Sequence, residues 1–279
     1  MKLGHIIQKV YFDPVMMTPS LHASIRSIVE KHIEDDYEMP DEDDEDSDFF
    51  GNKIPKPYNV DNVAVIPVYG TIAHKVGKME KSCGIVDVKD IKSWYKAALN
   101  DSNVGGIVFD IDSGGGFVTG VPELSQFIRD NRNMKPTVAY TDSVMASAAH
   151  YIGAGADAIF ATPSAEVGSI GVYSYILDYS KAFEKEGVRV ELFKDGKYKG
   201  MGMPGLALTD EQRQFIQNDV NEMSKEFKSF MKATRDIDDE TMQGQTFNGR
   251  KARELNLVEG NVDSLEDVIS SVKDIINKN

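Results

Sequence analysis

From Val63 onward, short apolar runs alternate with stretches whose apolar residues recur at helical spacing. Val63-Ala64-Val65-Ile66-Pro67-Val68-Tyr69-Gly70 predicts a strand, and Val86 to Leu99, apolar at 88, 91, 94, 95 and 98, predicts a helix. Gly105 to Ile111 predicts a buried strand, followed by a glycine turn and a helix from about Thr119 to Asp130. A strand over 136–141, a helix from Ser147 to Gly155 and a short strand Ala158–Ala161 continue the series. Strands and helices alternating at this interval build βαβ units. The expected fold class is therefore α/β with a mostly parallel sheet and right-handed crossovers.

Further along, the pattern predicts a helix near 178–186 ending at Gly187 and a strand Val188–Phe193. A glycine-rich loop, Lys194 to Gly205, follows and holds Lys194, Lys197 and Lys199. Thr209-Asp210-Glu211-Gln212 fits a capping box opening a long helix to about Thr234, with Phe215, Val220, Met223, Phe227, Phe230 and Met231 as a core or subunit-packing stripe. Upstream, apolar positions 21, 25, 28, 29 and 33 predict an amphipathic N-terminal helix. Residues 34–60 contain Pro40, Gly51, Pro55 and Pro57 and almost no periodic apolar content, as in a solvated linker. The expected organisation is an N-terminal helical segment (1–33), an acidic disordered linker (34–60) and a main domain (61–279).

Charge sharpens that division. Of the formal net charge of −14, eleven negative charges fall between 34 and 48 with no base among them, which leaves −3 for the rest. A nearly neutral globular part on an acidic chain argues against a nucleic-acid partner, because binding phosphates requires a basic surface. The single cysteine, Cys83, allows no intrachain disulfide and no Cys-based metal site. There is no run of about 18 apolar residues and no signal-peptide core at the N-terminus, so a soluble, cytoplasmic chain with no membrane anchor is expected.

Three small-residue segments fall at the C-terminal ends of predicted strands, where an open parallel sheet usually carries its site. They are Asp112-Ser113-Gly114-Gly115-Gly116, Ala146-Ser147-Ala148 and Val167-Gly168-Ser169-Ile170-Gly171-Val172. Ser147, at a strand-to-helix turn between small residues, is positioned to present a nucleophilic hydroxyl, although the same pattern also suits a plain helix start. Three glycines let backbone N–H groups point into a cavity, as an oxyanion hole requires. The run lacks both phosphate-loop spacings, which argues against a nucleotide cofactor, and no other cofactor or metal is indicated. A serine nucleophile needs a base. His150 lies three residues past Ser147 on the same helix and points back along its own face, which suits packing better than catalysis. A lysine serves if burial keeps it neutral, and Lys199 is the best placed of the three in its loop.

Asp112-Ser113-Gly114-Gly115-Gly116, Met145-Ala146-Ser147-Ala148-Ala149-His150-Tyr151, Ala161-Thr162-Pro163, Gly168-Ser169-Ile170-Gly171-Val172 and Gly196-Lys197-Tyr198-Lys199 occur in the order of the motifs of the signal peptide peptidase A family of Ser-Lys peptidases, which the chain resembles. The segment from Gly244 to Val258 is similar to that family's closing segment, and the match runs from about Val63 to Gly260. The resemblance implies a Clp/crotonase-like fold of repeated ββα/βαβ units. It also implies Ser147 as nucleophile, Lys199 as general base and Ser169 holding or relaying to the lysine. The amides of Gly115, Gly116 and Ala148 would form the oxyanion hole. Two departures are visible: Gly114 replaces the family's usual proline, and either one extra residue separates Ser147 from Tyr151 or the alignment is shifted there.

Members form rings, so a homo-oligomer is implied, and the lysine can come from a neighbouring subunit. Without an anchor, the chain resembles the soluble branch among tailed-phage capsid assembly proteases. That implies protein or peptide substrates such as scaffold and capsid precursors, met in the host cytoplasm or the prohead interior. A soluble cellular peptidase of the same family, a crotonase-type acyl-CoA enzyme and a non-catalytic capsid scaffold component are the competing readings.

Overall fold

The computed structural model describes residues 10, 13–34, 54–77, 80–81 and 83–278. Strand β1 (Val15–Met17) leads into helix α1 (Pro19–Glu34), which opens on a proline, a residue that loses no helical hydrogen bond in the first turn. Most of the expected acidic linker, 35–53, lies outside the described residues. Then come β2 (Tyr58–Val60), β3 (Val63–Tyr69), β4 (Thr71–Ala73), β5 (Ile85–Asp87) and α2 (Val88–Asn100). The Asp87 carboxylate caps α2 by accepting the Lys89 N–H. The middle of the chain forms β6 (Gly106–Asp112), β7 (Gly115–Phe117), α3 (Val121–Asn131), β8 (Thr137–Thr141), β9 (Val144–Ala146), α4 (Ala148–Gly153), β10 (Ala158–Ala161) and β11 (Glu166–Gly168). The remainder adds α5 (Ser180–Lys185), α6 (Asp210–Lys232), β12 (Thr246–Asn248), α7 (Gly249–Glu254), β13 (Gly260–Asn261) and α8 (Leu265–Lys278).

The main sheet runs β13-β10-β8-β6-β3-β2, and every pair is parallel except the edge pair β2–β3. Strand β3 within it reads as a continuous apolar run because both of its faces are covered. Ala64, Ile66 and Val68 of β3 share a core with Ile91, Tyr95 and Leu99 of α2 and Leu124 and Ile128 of α3. Val63 and Val65 point the other way, into a cluster with Val268, Ile269 and Val272 of α8. The fold is thus α/β with a mostly parallel main sheet, as expected. Two small sheets stand beside it, in the orders β1-β7-β4-β5 and β12-β11-β9. They carry the candidate site.

One expected element is absent. Val188–Phe193 forms no strand, and Val188 and Phe193 are 49% and 90% exposed. Alternating side chains make a segment fit to be a strand, but a ladder needs a second backbone, and this segment pairs with none among the described residues. The long helix α6 does begin at the expected capping box: Thr209 Oγ1 accepts the Gln212 N–H, and the Gln212 side chain accepts the Thr209 N–H. Only the C-terminal half of its stripe is core. Phe227, Phe230 and Met231 are buried, and Phe227 stacks on Tyr151 of α4 at 4.4 Å between ring centres. Phe215 is 39% exposed and stacks on Tyr198 of the lysine loop.

Phe227→Ala is expected to cost about 3–5 kcal/mol, through lost burial and the cavity left behind. Phe215→Ala is expected to cost about 1 kcal/mol or less. Urea unfolding midpoints of the two variants check the contrast.

Candidate active site

Ser147 stands immediately after β9, where the chain must stop being a strand and start α4. It takes up φ 56°, ψ −119°, a left-handed conformation that costs a residue with a Cβ about 1–3 kcal/mol. Its N–H donates to the Gly168 carbonyl at 2.8 Å. β9 and β11 run parallel with Ala146 opposite Gly168, so Ser147 and Ser169 each stand one residue past a paired strand end. Ser169 is also left-handed, at φ 52°, and its N–H donates to the Gln245 carbonyl at 2.8 Å. Behind Ser169, β12 pairs antiparallel with β11, and Asn248 caps α7 by accepting the Lys251 N–H. The C-terminal motif around Thr246-Phe247-Asn248-Gly249 therefore buttresses the strand that delivers Ser169.

The glycine run lies alongside. Ser113 bridges Met145, and the Ser113 hydroxyl donates to the Gly70 carbonyl at 2.5 Å while accepting the Gly115 N–H at 3.1 Å. The amide of Gly115 is thus already engaged. Gly116 has no room for a side chain: a Cβ there would stand 1.9 Å from the Ile72 carbonyl oxygen on the neighbouring strand. A Cβ on Gly115 would stand 3.0 Å from the Ala146 carbonyl oxygen, which places β7 beside the residue preceding Ser147. Gly115, Gly116, Ser147, Ala148 and Ser169 are all buried, with Ser147 only 1% exposed.

Lys199 is not gathered into this cluster. It lies exposed in the loop after α5, its backbone N–H donating to the Gly196 carbonyl at 3.2 Å. Its neighbours are committed elsewhere: the Lys194 ammonium donates to the Lys197 carbonyl at 2.8 Å, and Lys197 pairs with Glu211 of α6. Among the described residues, the Lys199 ammonium has no hydrogen-bond or ion-pair partner.

His150 is fully buried, and its Nε2 lies 3.1 Å from the Leu257 carbonyl oxygen. Burial, and next the nearby Arg235 guanidinium, lower its pKa to about 4, so it is neutral near pH 7. Arg235 is itself held by Glu259 at 3.0 Å. His150 packs the C-terminal segment against α4, in keeping with a packing role. Among the described residues, no group of three or more His, Cys, Asp or Glu side chains is arranged to hold a metal ion, and no helix is long and apolar enough to cross a membrane.

One participant escaped the sequence reading. Strand β1 pairs antiparallel with β7, Val15 opposite Phe117, Met16 opposite Gly116 and Met17 opposite Gly115. Three residues are too few to show a periodicity. The available signal was an apolar triplet fenced by Pro14 and Pro19.

The model of peptidase family S49 matches residues 129–278, which include Ser147, Ser169 and Lys199. The head-tail preconnector protein GP5 of Enterobacteria phage P21 is 27% identical over 99% of this chain and 58% of its own length. The capsid assembly protease C of Escherichia phage lambda is 27% identical over 81% of this chain and 52% of its own. The chain spans about half the length of these curated relatives. A ClpP1 variant from Listeria monocytogenes superposes with a TM-score of 0.48 at 12% identity, covering 72% of this chain and 92% of the other.

The buried imidazole makes a prediction. Between about pH 6.5 and pH 4 the unfolded chain binds a proton at His150 that the folded chain does not, so stability falls as pH falls through that window. The loss is on the order of 3–3.5 kcal/mol over the whole window. His150→Gln is expected to flatten this part of the profile, as read from urea midpoints at about pH 7 and about pH 4.5.

Proposed function

Because this chain belongs to peptidase family S49, a family of serine peptidases, we propose that it hydrolyses peptide bonds with Ser147 as nucleophile and Lys199 as general base. The observation that carries this reading is the buried pair of left-handed serines, Ser147 and Ser169, set side by side by the β9–β11 register. In the first step neutral Lys199 takes the proton of the Ser147 hydroxyl as its oxygen attacks the scissile carbonyl. The resulting oxyanion is held by the amides of Gly116 and Ala148, since the Gly115 amide is spent on Ser113. The protonated lysine then gives its proton to the leaving amine. Water, activated by the same lysine, releases the acyl group from Ser147. Ser169 positions the lysine.

For this chemistry Lys199 has to leave water, because only a desolvated lysine is neutral near pH 7. Its uncommitted ammonium and the exposed apolar side chains of its segment, Tyr175, Tyr179, Val188, Phe193 and Met203, support covering of this segment by a second copy of the chain. The homo-oligomer would then bury the base as it assembles. The substrates we propose are scaffold and capsid precursor proteins, a reading supported by the similarity to the lambda capsid assembly protease.

Ser147→Ala and Lys199→Ala are each expected to reduce casein cleavage by roughly a thousandfold or more, with the oligomer seen by sedimentation unchanged. Wild-type rates in either variant would end the dyad assignment. Ser169→Ala is expected to retain a measurable fraction, roughly a hundredth to a tenth, because it removes a positioning contact and not a reacting group.

A further inference from the structure

The edge of β7 that faces away from β4 is not open; β1 of the same chain fills it. β1 is hydrogen-bonded along both of its own edges. On one side the Thr18 N–H donates to the Gly114 carbonyl at 2.9 Å and the Val118 N–H to the Pro14 carbonyl at 3.5 Å. An antiparallel ladder alternates bonded and non-bonded pairs, so between these two the bonded pair is Met16 with Gly116. On the other side Val15 exchanges both backbone bonds with Tyr173, at 3.0 and 3.2 Å. Residues 14–18 therefore lie as an extended strand inserted into a slot between the glycine strand and the segment that follows Ser169.

That slot has the form a peptidase needs. An extended peptide binds by adding itself as a strand to an available edge, so that its main chain supplies affinity and its alternate side chains supply specificity. The edge here belongs to the strand carrying Gly116 and runs beside Ala146, the residue before Ser147. In the register observed, the Met16 carbonyl faces the Gly116 amide, the donor assigned to the oxyanion. Ser147 and Ser169, at 1% and 6% exposure, are sealed with the segment in place.

The covering is anchored by contacts of its own. Thr18 and Leu21 press on Gly114, where an added Cβ would stand 3.0 and 3.2 Å from them. His22 reaches the Tyr173 hydroxyl at 2.9 Å and the Val10 carbonyl at 3.0 Å. Arg26 lies over the Tyr175 ring at 5.1 Å. Val10, Val15, Met17, Ile25 and Val29 form a satellite cluster with Ala73, Ile85 and Phe117, and of β1 only Met16 joins the main core. Such a segment can leave without dismantling the main sheet.

We propose that residues Pro14–Thr18 occupy the peptide-substrate groove of their own chain. The protein folds self-blocked, and an extended apolar peptide gains the nucleophile by displacing β1. This rests on the assignment of Ser147 as nucleophile. The test uses the full chain carrying Ser147→Ala, so that nothing is cut, and a fluorescein-labelled synthetic peptide of residues 10–20 read by anisotropy.

Adding Met16→Asp puts a carboxylate where an apolar side chain is buried and drives β1 out. The peptide is then expected to bind at least tenfold tighter than to the chain with native β1. A second variant, Val15→Cys with Phe117→Cys in a Cys83→Ser background, places cysteines at a facing non-bonded pair, where a disulfide can close. Oxidised, it should exclude the peptide, and dithiothreitol should restore binding. Equal binding by the oxidised and reduced forms, or by the Met16→Asp chain and its parent, overturns the proposal. If circular dichroism shows that Met16→Asp fails to fold, the disulfide comparison decides alone. Casein cleavage by the matching chains with Ser147 intact separates the two readings. Displacement without any cleavage refutes the dyad and leaves the occupied groove standing, whereas cleavage with unaltered peptide binding refutes the groove.

Discussion

The parallel pairing of β9 with β11 is the constraint on which the rest of the site depends. It is only three residues long, yet its register sets Ala146 against Gly168 and so brings two serines distant in sequence to adjacent strand ends. The bond from the Ser147 N–H to the Gly168 carbonyl closes the pair, and the left-handed turn at each serine directs the chain away from its strand. Neither conformation is favourable for a residue with a Cβ. Each persists because the surrounding structure over-determines it: α4 and the aromatic stack with α6 behind Ser147, β12 and Gln245 behind Ser169.

A second constraint is backbone proximity around β7. Gly116 sits so close to the Ile72 carbonyl that any side chain would collide with main chain, not with a flexible tip. Gly115 is similarly crowded by the Met16 carbonyl, 2.2 Å from where its Cβ would be, and holds a positive φ of 104°. Three strands of backbone are brought together with no side chains between them.

Much of this was legible in the sequence, for identifiable reasons. The strand over 63–69 is apolar along its length and the one over 106–112 is apolar from Ile107 to Phe109 because they are buried on both faces, and helices α2 and α3 show their buried face at helical spacing. Ser147 stood out because a strand ran into small residues and then into a helix. What could not be read was anything decided by a partner distant in sequence. The insertion of β1 beside β7 and the solitude of Val188–Phe193 both depend on which backbone lies next door. A pattern of side chains states what a segment is able to pair with. It does not state whether the pairing takes place.

The insertion of β1 also has a quantitative side. If β1 fills the substrate groove as proposed, a strand joined covalently to that groove competes at an effective concentration set by the chain that connects them. For short connections this is on the order of millimolar. A dilute peptide of equal intrinsic affinity therefore loses to the tethered strand by a wide margin, and the balance shifts only where competing chains are themselves packed to comparable density. Crowding of substrate would then act as the activating signal, with no separate effector required.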